Sequence, residues 1–321
     1  MTGLPSVSVL LVTKNGERYL AELLECVQRQ QGEFRLQEII AVDSGSRDRT
    51  LSILGQFGVR IVQIPPQTFG HGRTRNLAVS HAQGDYLVFL TQDATPARTD
   101  WLEKLLAPLR TNPMIAGGYS RHLPRPDCHP MEWRRIVMEE LSGRAQSCMN
   151  TQTDPNYSTN PAFFYFLSNV SSILRRSIWE RFPFPEVEFA EDQLWAKHVL
   201  EAGYTTTFRA DSLVYHSHGY GPWTNFRRHF DHARAVGDLN QRPRLALQTE
   251  LRAAWLTTRK DLSFWRWRTQ RGRLRVGLRW GGAALGWHLA ALGGTWLGER
   301  KSRLAPGLVQ RLSLQESIKR R

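Results

Sequence analysis

The chain has 321 residues, of which 41% are hydrophobic and 10% aromatic, and its formal net charge is +14. This composition excludes wholesale disorder and is sufficient for a full hydrophobic core. The three cysteines, Cys26, Cys128 and Cys148, have no short paired spacing, which excludes a disulfide framework or a cysteine zinc site and suits a reducing cytosol. The apolar run at residues 7–12 is too short for a signal peptide and predicts a strand.

The first half of the chain alternates short apolar runs with amphipathic segments. Strands are predicted at 6–12, 38–42, 59–64 and 85–90, and helices at 19–30, 48–57, 73–81 and 100–109. This alternation is typical of a doubly wound, mainly parallel α/β sheet. Beyond Pro113 the pattern predicts strands at 115–122, 164–170 and 205–215, helices at 129–141, 177–181 and 191–202, a polar loop at 148–163, and helices from about residue 223 onward.

The positive charge is concentrated near the C-terminus. Residues 251–321 contain 16 Lys/Arg, 3 Asp/Glu and six of the eleven tryptophans, whereas the first 250 residues have a net charge of +1. This division predicts a nearly neutral domain followed by a basic, Trp-rich, helical extension. We place the domain at residues 1–240 and the extension at residues 241–321.

An acidic residue follows the fourth predicted strand, in the sequence FLTQDA at residues 89–94. A carboxylate at the end of such a strand lies at the edge where open α/β sheets bind ligands. Asp93 is therefore a candidate ligand for a hard divalent cation held against a phosphate. The alternative is that Asp93 only begins the turn that follows.

The second predicted strand also ends on an acidic residue, in VDSGSRD at residues 42–48. Asp43 can accept hydrogen bonds from a base imide or a ribose hydroxyl, and the alternative is that Ser46 and Asp48 merely cap the next helix. Two glycines in FGHGRTRN, residues 69–76, allow close backbone approach, and Arg73 and Arg75 suit phosphate or base contacts. A helix start with solvated arginines is the alternative there.

Two pairs in the second half have residue types suited to catalysis or metal binding. Glu191 and Asp192 open a predicted helix, where the helix dipole favours carboxylates for structural reasons alone. Their functional use would be general base chemistry, in which one carboxylate accepts the proton of an attacking hydroxyl. His216 and His218 would share one face of a strand and suit a metal, although polar surface is the alternative.

In this order, the motifs resemble those of the family 2 glycosyltransferases, and more narrowly the bacterial rhamnosyltransferase-like branch. The resemblance covers about residues 6–235. Segments similar to the family at large are 12–15, 42–50, 75–76, 84–86 and 184–204, and those similar to the branch are 90–94, 121–127 and 214–218. The resemblance implies a glycosyltransferase-A type fold. It also implies an inverting glycosyltransferase that moves a sugar, L-rhamnose from dTDP-L-rhamnose in this branch, onto a glycan or lipid-linked acceptor in bacterial cell-surface polysaccharide synthesis.

The same resemblance implies roles for individual residues. The nucleotide sugar would be contacted by Thr13, Asn15, Asp43, Arg75 beside the base with Arg73 as second choice, Gln92 and Asp93. Asp192 would be the catalytic base, with Glu191 as its neighbour.

For the metal, the resemblance implies that Asp93 binds Mg²⁺ or Mn²⁺ together with the diphosphate. Thr91 stands where the family has the first Asp of its Asp-x-Asp motif, so we expect His216 or His218 to complete the coordination.

The extension contains a 19-residue stretch, 280–298, without a formal charge but with six glycines and His288. Its length just reaches that of a membrane span, yet its composition favours a helix that lies in the membrane interface, where Trp and Arg suit the headgroup layer. We therefore expect peripheral association with the inner face of the cytoplasmic membrane. The alternative for the extension is a helical appendage packed on the catalytic domain. For the function of the protein, the alternatives to a glycosyltransferase are a nucleotide-sugar-binding scaffold without catalysis and a nucleic-acid-binding protein that acts through the basic tail.

Overall fold

The computed structural model of the protein describes residues 3–139, 144–187, 189–236, 247–270, 272–300 and 303–314. The chain divides into two compact units. The first unit comprises Met1–Arg125 and Glu139–His216, and the second comprises Pro126–Met138 and Ser217–Arg321. Residue 240, where we place the domain boundary, lies outside the described residues, and that boundary stays a prediction.

Within the described ranges, the strands all belong to the first unit and form one sheet. In chain order they are β1 (Ser6–Thr13), β2 (Arg35–Asp43), β3 (Arg60–Gln63), β4 (Tyr86–Thr91), β5 (Thr95–Pro96), β6 (Ile115–Leu123), β7 (Cys148–Asn150), β8 (Ser171–Arg175) and β9 (Thr205–Tyr215). Their spatial order is β3-β2-β1-β4-β8-β6-β9-β5, and β7 pairs with β9.

The helices connect these strands and make up the described part of the second unit. They are α1 (Glu17–Gln28), α2 (Thr50–Gln56), α3 (His71–Ser80), α4 (Trp101–Thr111), α5 (Pro130–Arg134), α6 (Pro161–Phe164), α7 (Arg176–Trp179), α8 (Glu191–Glu201), α9 (Pro222–Val236), α10 (Leu247–Thr269), α11 (Arg273–Val276), α12 (Gly282–Gly298) and α13 (Pro306–Leu312). A single 3₁₀ turn covers Pro66–Thr68, and π-helical turns cover Arg135–Glu139 and Gly277–Gly281.

The first four strands of the sheet order are parallel, which confirms the predicted α/β class. Strand β1 pairs in parallel with both β2 and β4, and its end places Thr13 opposite Asp43 and Val12 opposite Thr91. Strand β8 then runs antiparallel to β4. Because parallel strands end at the same edge, the loops after β1, β2 and β4 are neighbours, and this edge is where open α/β sheets bind ligands.

The central strands are buried on both faces, which explains their almost continuous apolar sequences. On β1, Val9 packs into one hydrophobic cluster with helices α1 and α4, and Leu10 into a second cluster with α3 and α8. Trp195 of α8 is fully buried in the second cluster, and its indole N–H donates to the carbonyl of Phe182 at 2.7 Å. This packing fixes α8, the helix that begins with the predicted catalytic carboxylates.

The predicted strand at 164–170 is wrong. Pro161 begins the short helix α6, and the apolar residues at 164–167 pack into the core before strand β8 begins. Strand β8 begins only at Ser171, whose hydroxyl is buried and donates to Ser120 at 2.8 Å. Buried serines conceal this strand from a hydropathy pattern, because their hydrogen bonds rather than apolar surface make them compatible with the core.

Two neighbouring predictions were correct only in part. The helix predicted at 129–141 appears as α5 followed by the π-helical turn Arg135–Glu139, and residues 140–141 lie outside the described residues. The segment 148–163, predicted to be a polar loop, contains the short strand β7 and the start of α6.

The second unit is helical in its described part, as expected for the extension, and within it α12 packs on α9. A Cβ on Gly294 would lie 2.2 Å from the carbonyl oxygen of Phe226, so α12 and α9 are in backbone contact. His288 Nε2 lies 2.5 Å from Asp261 Oδ2, and Asp261 also pairs with Arg134. Among the helices that the structure describes, none is both long and apolar enough to cross a membrane.

The contact between α12 and α9 can be tested by replacing two glycines of α12, one at the contact and one away from it. We expect Gly294→Ala to lower the stability of the protein by about 1–3 kcal/mol, because the new methyl group would overlap the α9 backbone. Gly286→Ala is the matched control, since no atom lies within 4 Å of its Cβ position, and alanine there should raise stability by up to about 1 kcal/mol. Urea unfolding monitored by circular dichroism measures both, and equal stabilities would contradict the packing of α12 on α9.

Candidate active site

Hydrogen bonds join the loops that follow β1, β2 and β4. The backbone of Lys14 donates to Gln92 Oε1 at 2.8 Å, and Gln92 Nε2 donates back to the Lys14 carbonyl at 3.0 Å. The backbone N–H of Asn15 donates to Ser46 Oγ at 2.8 Å. The structure therefore brings Asn15 and Gln92, two of the predicted nucleotide-sugar contacts, into one loop cluster.

Asp43 is the buried centre of this cluster, with a relative exposure of 1%. Its carboxylate accepts hydrogen bonds from Thr13 Oγ1 at 3.1 Å, from the backbone of Gly45 at 3.0 Å, and from the backbone and hydroxyl of Ser46 at 2.9 and 2.5 Å. These four bonds match the number of sites that a carboxylate offers. Asp43 thus shapes the loop after β2, and a nucleoside would have to replace one of these donors in order to bind it.

The loop after β4 lies beside the end of β9. Thr95 pairs with Tyr215, and His216 Nε2 consequently lies 3.6 Å from Asp93 Oδ1. Ligand atoms of Asp93, His216 and His218 all lie within 4.8 Å of one another. One carboxylate oxygen and two imidazole nitrogens are a donor set suited to a divalent transition metal, so the three predicted metal ligands fit such an ion.

Thr91, the residue that replaces the first Asp of the Asp-x-Asp motif, brings no charge to the site. Thr91 Oγ1 is buried, and within the described ranges it has no hydrogen-bond partner. A hydroxyl cannot supply the second negative charge of an Asp-x-Asp motif. Among the described residues, His216 and His218 are the groups that could supply further donors near Asp93.

Arg125 supports the Asp93 loop and was missed by the sequence analysis. Its guanidinium donates to the Asp93 carbonyl at 3.2 Å and to Thr95 Oγ1 at 2.5 Å, and it lies 4.0 Å from the ring centre of Tyr19. The side chain is nearly fully buried. Its partners are distant in sequence, so the only indication of its importance in the sequence was that it lies within segment 121–127, which resembles the rhamnosyltransferase-like branch.

A second histidine was also missed. His122 is buried, and its ring centre lies 5.3 Å from that of His216 in an edge-on arrangement. Parallel pairing of β6 with β9 places His122 opposite Val214. His122 thus limits the orientation of the His216 ring.

The two acidic residues at the start of α8 have different partners. Glu191 is buried and its Oε1 lies 2.8 Å from Arg75 Nη1, while Asn169 Nδ2 donates to the same oxygen at 3.0 Å. Asp192 is half-buried, and its Oδ2 accepts the backbone N–H of Asn169 at 3.0 Å. Asn169, which the sequence did not indicate, therefore holds both carboxylates.

The surroundings of the two carboxylates shift their pKa values in opposite directions. Burial alone would raise the pKa of Glu191, but the charges of Arg75 and His71 and the hydrogen bond from Asn169 outweigh burial and lower it. Burial, followed by the negative charge of Glu191, raises the pKa of Asp192 to about 7. Two carboxylates with pKa values moved apart are typical of an ionised structural group beside an acid–base group.

The two arginines of α3 lie in different surroundings. Arg75, which we predicted beside the base, is buried against Glu191, whereas Arg73 is exposed and pairs with Glu186 at 3.3 Å. Gly72, which precedes both arginines, allows α3 to approach the chain before α8, since a Cβ there would lie 2.0 Å from the Pro185 carbonyl oxygen. This approach brings Arg75 to Glu191.

Comparison with known proteins identifies the family. A family model described as glycosyl transferase family 2 matches residues 8–179, about half of the chain. The chain belongs to the family 2 glycosyltransferases. The O-antigen chain rhamnosyltransferase RfbN of Salmonella typhimurium is 31% identical over 70% of each chain, and WbaN of Salmonella anatum is 32% identical over 71% of each chain. The protein is therefore a glycosyltransferase of the rhamnosyltransferase-like branch, as the motifs predicted.

Solved structures confirm the glycosyltransferase-A type fold. A mannosyltransferase from Pyrobaculum calidifontis, in complex with GDP-Man and Mn²⁺, matches with a TM-score of 0.61 and 19% identity over 94% of this chain and 89% of that one. Residues 1–349 of TarS from S. aureus, in complex with UDP-GlcNAc, match with a TM-score of 0.53 and 19% identity over 93% of this chain and 91% of that one.

The two arginines of α3 provide a matched test of the buried ion pair. We expect Arg75→Gln to lower stability by about 3–5 kcal/mol, because it leaves the Glu191 charge buried without its partner. Arg73→Gln should change stability by less than about 1 kcal/mol, since its pair with Glu186 is exposed. Thermal and urea unfolding distinguish the two variants.

Adding Glu191→Gln to Arg75→Gln should restore part of the lost stability, because the unpaired charge is then removed. Similar losses for Arg73→Gln and Arg75→Gln would show that the pair does not hold α8.

Proposed function

We propose that this glycosyltransferase transfers L-rhamnose from dTDP-L-rhamnose, with inversion, to a glycan or lipid-linked acceptor in bacterial cell-surface polysaccharide synthesis. The observation that carries the proposal is the pair at the start of α8, a buried Glu191 paired with Arg75 and an adjacent Asp192 with a raised pKa. The names of RfbN and WbaN, both O-antigen chain rhamnosyltransferases, support the sugar and the type of product.

In this proposal Asp192 accepts the proton of the attacking acceptor hydroxyl. A base whose pKa is near the working pH is ionised often enough to act and still attracts a proton, and such assistance is typically worth about 10²–10⁴-fold in rate. Asn169 holds one oxygen of Asp192 through its backbone N–H, which orients the carboxylate. Attack from the side opposite the leaving diphosphate inverts the anomeric centre.

The donor would bind at the loops after β1, β2 and β4. Thr13, Asn15, Asp43 and Gln92 belong to one hydrogen-bonded cluster there. Arg73 is the arginine we assign to the nucleotide, because its exposed pair with Glu186 is weak and easily exchanged. Arg75 serves instead to keep Glu191 ionised.

Asp93, His216 and His218 would hold the divalent cation. Two imidazole donors favour Mn²⁺ over Mg²⁺, which prefers oxygen ligands, and the mannosyltransferase of similar fold was solved with Mn²⁺. When bound, the cation would neutralise the charge that grows on the leaving diphosphate. Arg125 keeps Asp93 in place through the backbone of the loop.

Turnover of sugar nucleotides by the purified protein tests the donor and the base together. With Mn²⁺ and a lipid-linked glycan acceptor, we expect dTDP release from dTDP-L-rhamnose and much slower turnover of UDP-GlcNAc or GDP-mannose. Asp192→Asn should lower kcat by about 10²–10⁴-fold while dTDP still binds, because the variant removes only the base. Glu201→Gln, at the exposed end of the same helix, should keep full activity.

The pH profile provides the control for the assignment of the base. In wild-type protein kcat/KM should fall as the pH drops below about 7, because Asp192 is then protonated and cannot accept a proton. Glu191→Gln removes a negative charge that raises this pKa, so the fall should move to lower pH. An unshifted profile, or wild-type turnover by Asp192→Asn, would refute the assignment.

Donor binding tests the cation site. We expect Asp93→Ala and His216→Gln to abolish the gain in dTDP affinity that Mn²⁺ produces, and to leave the affinity measured in EDTA unchanged. His198→Gln, an exposed histidine on α8, is the matched control and should retain the full effect of Mn²⁺. Titration calorimetry measures these affinities, and an unchanged Mn²⁺ effect in Asp93→Ala would rule out this site.

A further inference from the structure

Helix α10 has one buried face and one fully exposed face. Ala254, Thr258, Asp261 and Phe264 are buried and recur at helical spacing on one side. The residues on the opposite side are all exposed; they are Arg252, Trp255, Leu256, Arg259, Lys260, Ser263, Arg266 and Trp267. We call these eight residues the outer face of α10.

The outer face is strongly positive and carries no compensating acid. Between residues 251 and 298 the sequence contains a single carboxylate, Asp261, which is fully buried and paired with Arg134 and His288. Among the described residues, the four cations of the outer face have no ion pair. An unneutralised positive surface of this kind attracts polyanions.

Large apolar side chains lie between these cations. Trp255 is 53% exposed, Leu256 46% and Trp267 71%. Burying such apolar side chains away from water would be energetically favourable, so their exposure points to a partner that covers them. Tryptophan and arginine together suit the headgroup layer of a bilayer, where an aromatic ring reaches the acyl boundary and a guanidinium reaches phosphate. This mixture of cations and apolar side chains indicates a binding partner that presents both phosphate groups and hydrocarbon.

An open groove of about 830 Å³ lies along the C-terminal half of the outer face. Arg259, Arg266 and Trp267 line it together with the apolar side chains of Leu262 and Val276. Two guanidinium groups beside an apolar wall match the chemistry of a phospholipid headgroup and the glycerol region below it.

We propose that the outer face of α10 binds the surface of a bilayer that contains anionic phospholipid. The apolar segment that the sequence suggested for this purpose, α12, packs against α9 at Gly294 and binds Asp261 through His288. Membrane contact thus belongs to the basic and aromatic α10, and attraction to anionic lipid supplies about 1 kcal/mol for each Lys or Arg near the surface. The proposal does not depend on which sugar the enzyme transfers.

The test is flotation of the full-length protein with two kinds of vesicle. We expect binding to vesicles of phosphatidylglycerol and phosphatidylcholine that weakens as salt is added, and little binding to phosphatidylcholine alone. Arg259→Gln/Arg266→Gln should weaken binding by about 25-fold, at about fivefold for each arginine. Trp255→Ser/Trp267→Ser should also weaken it, since the aromatic anchors are lost.

Matched control variants show whether the loss of binding is specific to the outer face or follows the removal of any exposed arginine or tryptophan. Arg29→Gln/Arg49→Gln removes the same charge from exposed positions of the first unit, and Trp223→Ser removes a tryptophan of α9 that is 59% exposed. Both should bind vesicles as the wild type does. Circular dichroism melting curves confirm that every variant is folded.

Three outcomes would overturn the proposal. One is equal binding to the two kinds of vesicle, and another is equal losses in the controls and in the outer-face variants. The third is binding of single-stranded RNA through Arg259 and Arg266 without any binding to vesicles, which would assign the surface to nucleic acid instead.

Discussion

The ion pair between Arg75 and Glu191 is the interaction on which the rest of the catalytic unit depends. It joins α3 to α8 inside the protein, where an unpaired charge would be strongly unfavourable. Burial raises the pKa of Asp192, and the negative charge of Glu191, whose own pKa is lowered by Arg75, raises it further. One structural contact thus attaches the helix and also contributes to the raised pKa of its second residue.

The parallel half of the sheet has a comparable effect on the donor side. It brings the ends of β1, β2 and β4 to one edge, and hydrogen bonds from Gln92 and to Asp43 then fix the loops to one another. Arg125 does the same for the Asp93 loop. These side chains bind mainly to the protein itself, so a ligand that bound here would meet a preformed surface rather than a set of independent groups.

In the second unit, some charged side chains form buried contacts between helices, and others remain exposed to solvent. Asp261 neutralises the buried Arg134 and lies 2.5 Å from His288 Nε2, and glycine allows α12 to contact the α9 backbone. Arg252, Arg259 and Arg266 of α10 are exposed. Four of the sixteen Lys and Arg residues of the tail therefore lie together on one exposed face that is available to a partner.

The sequence by itself determined the α/β class, the alternation of the first four strands and helices, and the family, because apolar runs and strand-end carboxylates are local patterns. It also indicated Asp93, His216 and His218, whose ligand atoms the tertiary structure brings within 4.8 Å of one another. Sequence could not assign the partners of Arg75 or reveal Asn169 and Arg125, since their contacts join segments far apart in the chain. Strand β8 was placed too early because its buried serines depend on hydrogen bonds that exist only in the folded sheet. Only the tertiary structure decided that α12 packs against α9 and that α10 presents the exposed basic face, because hydropathy records how apolar a helix is but not which neighbour covers it.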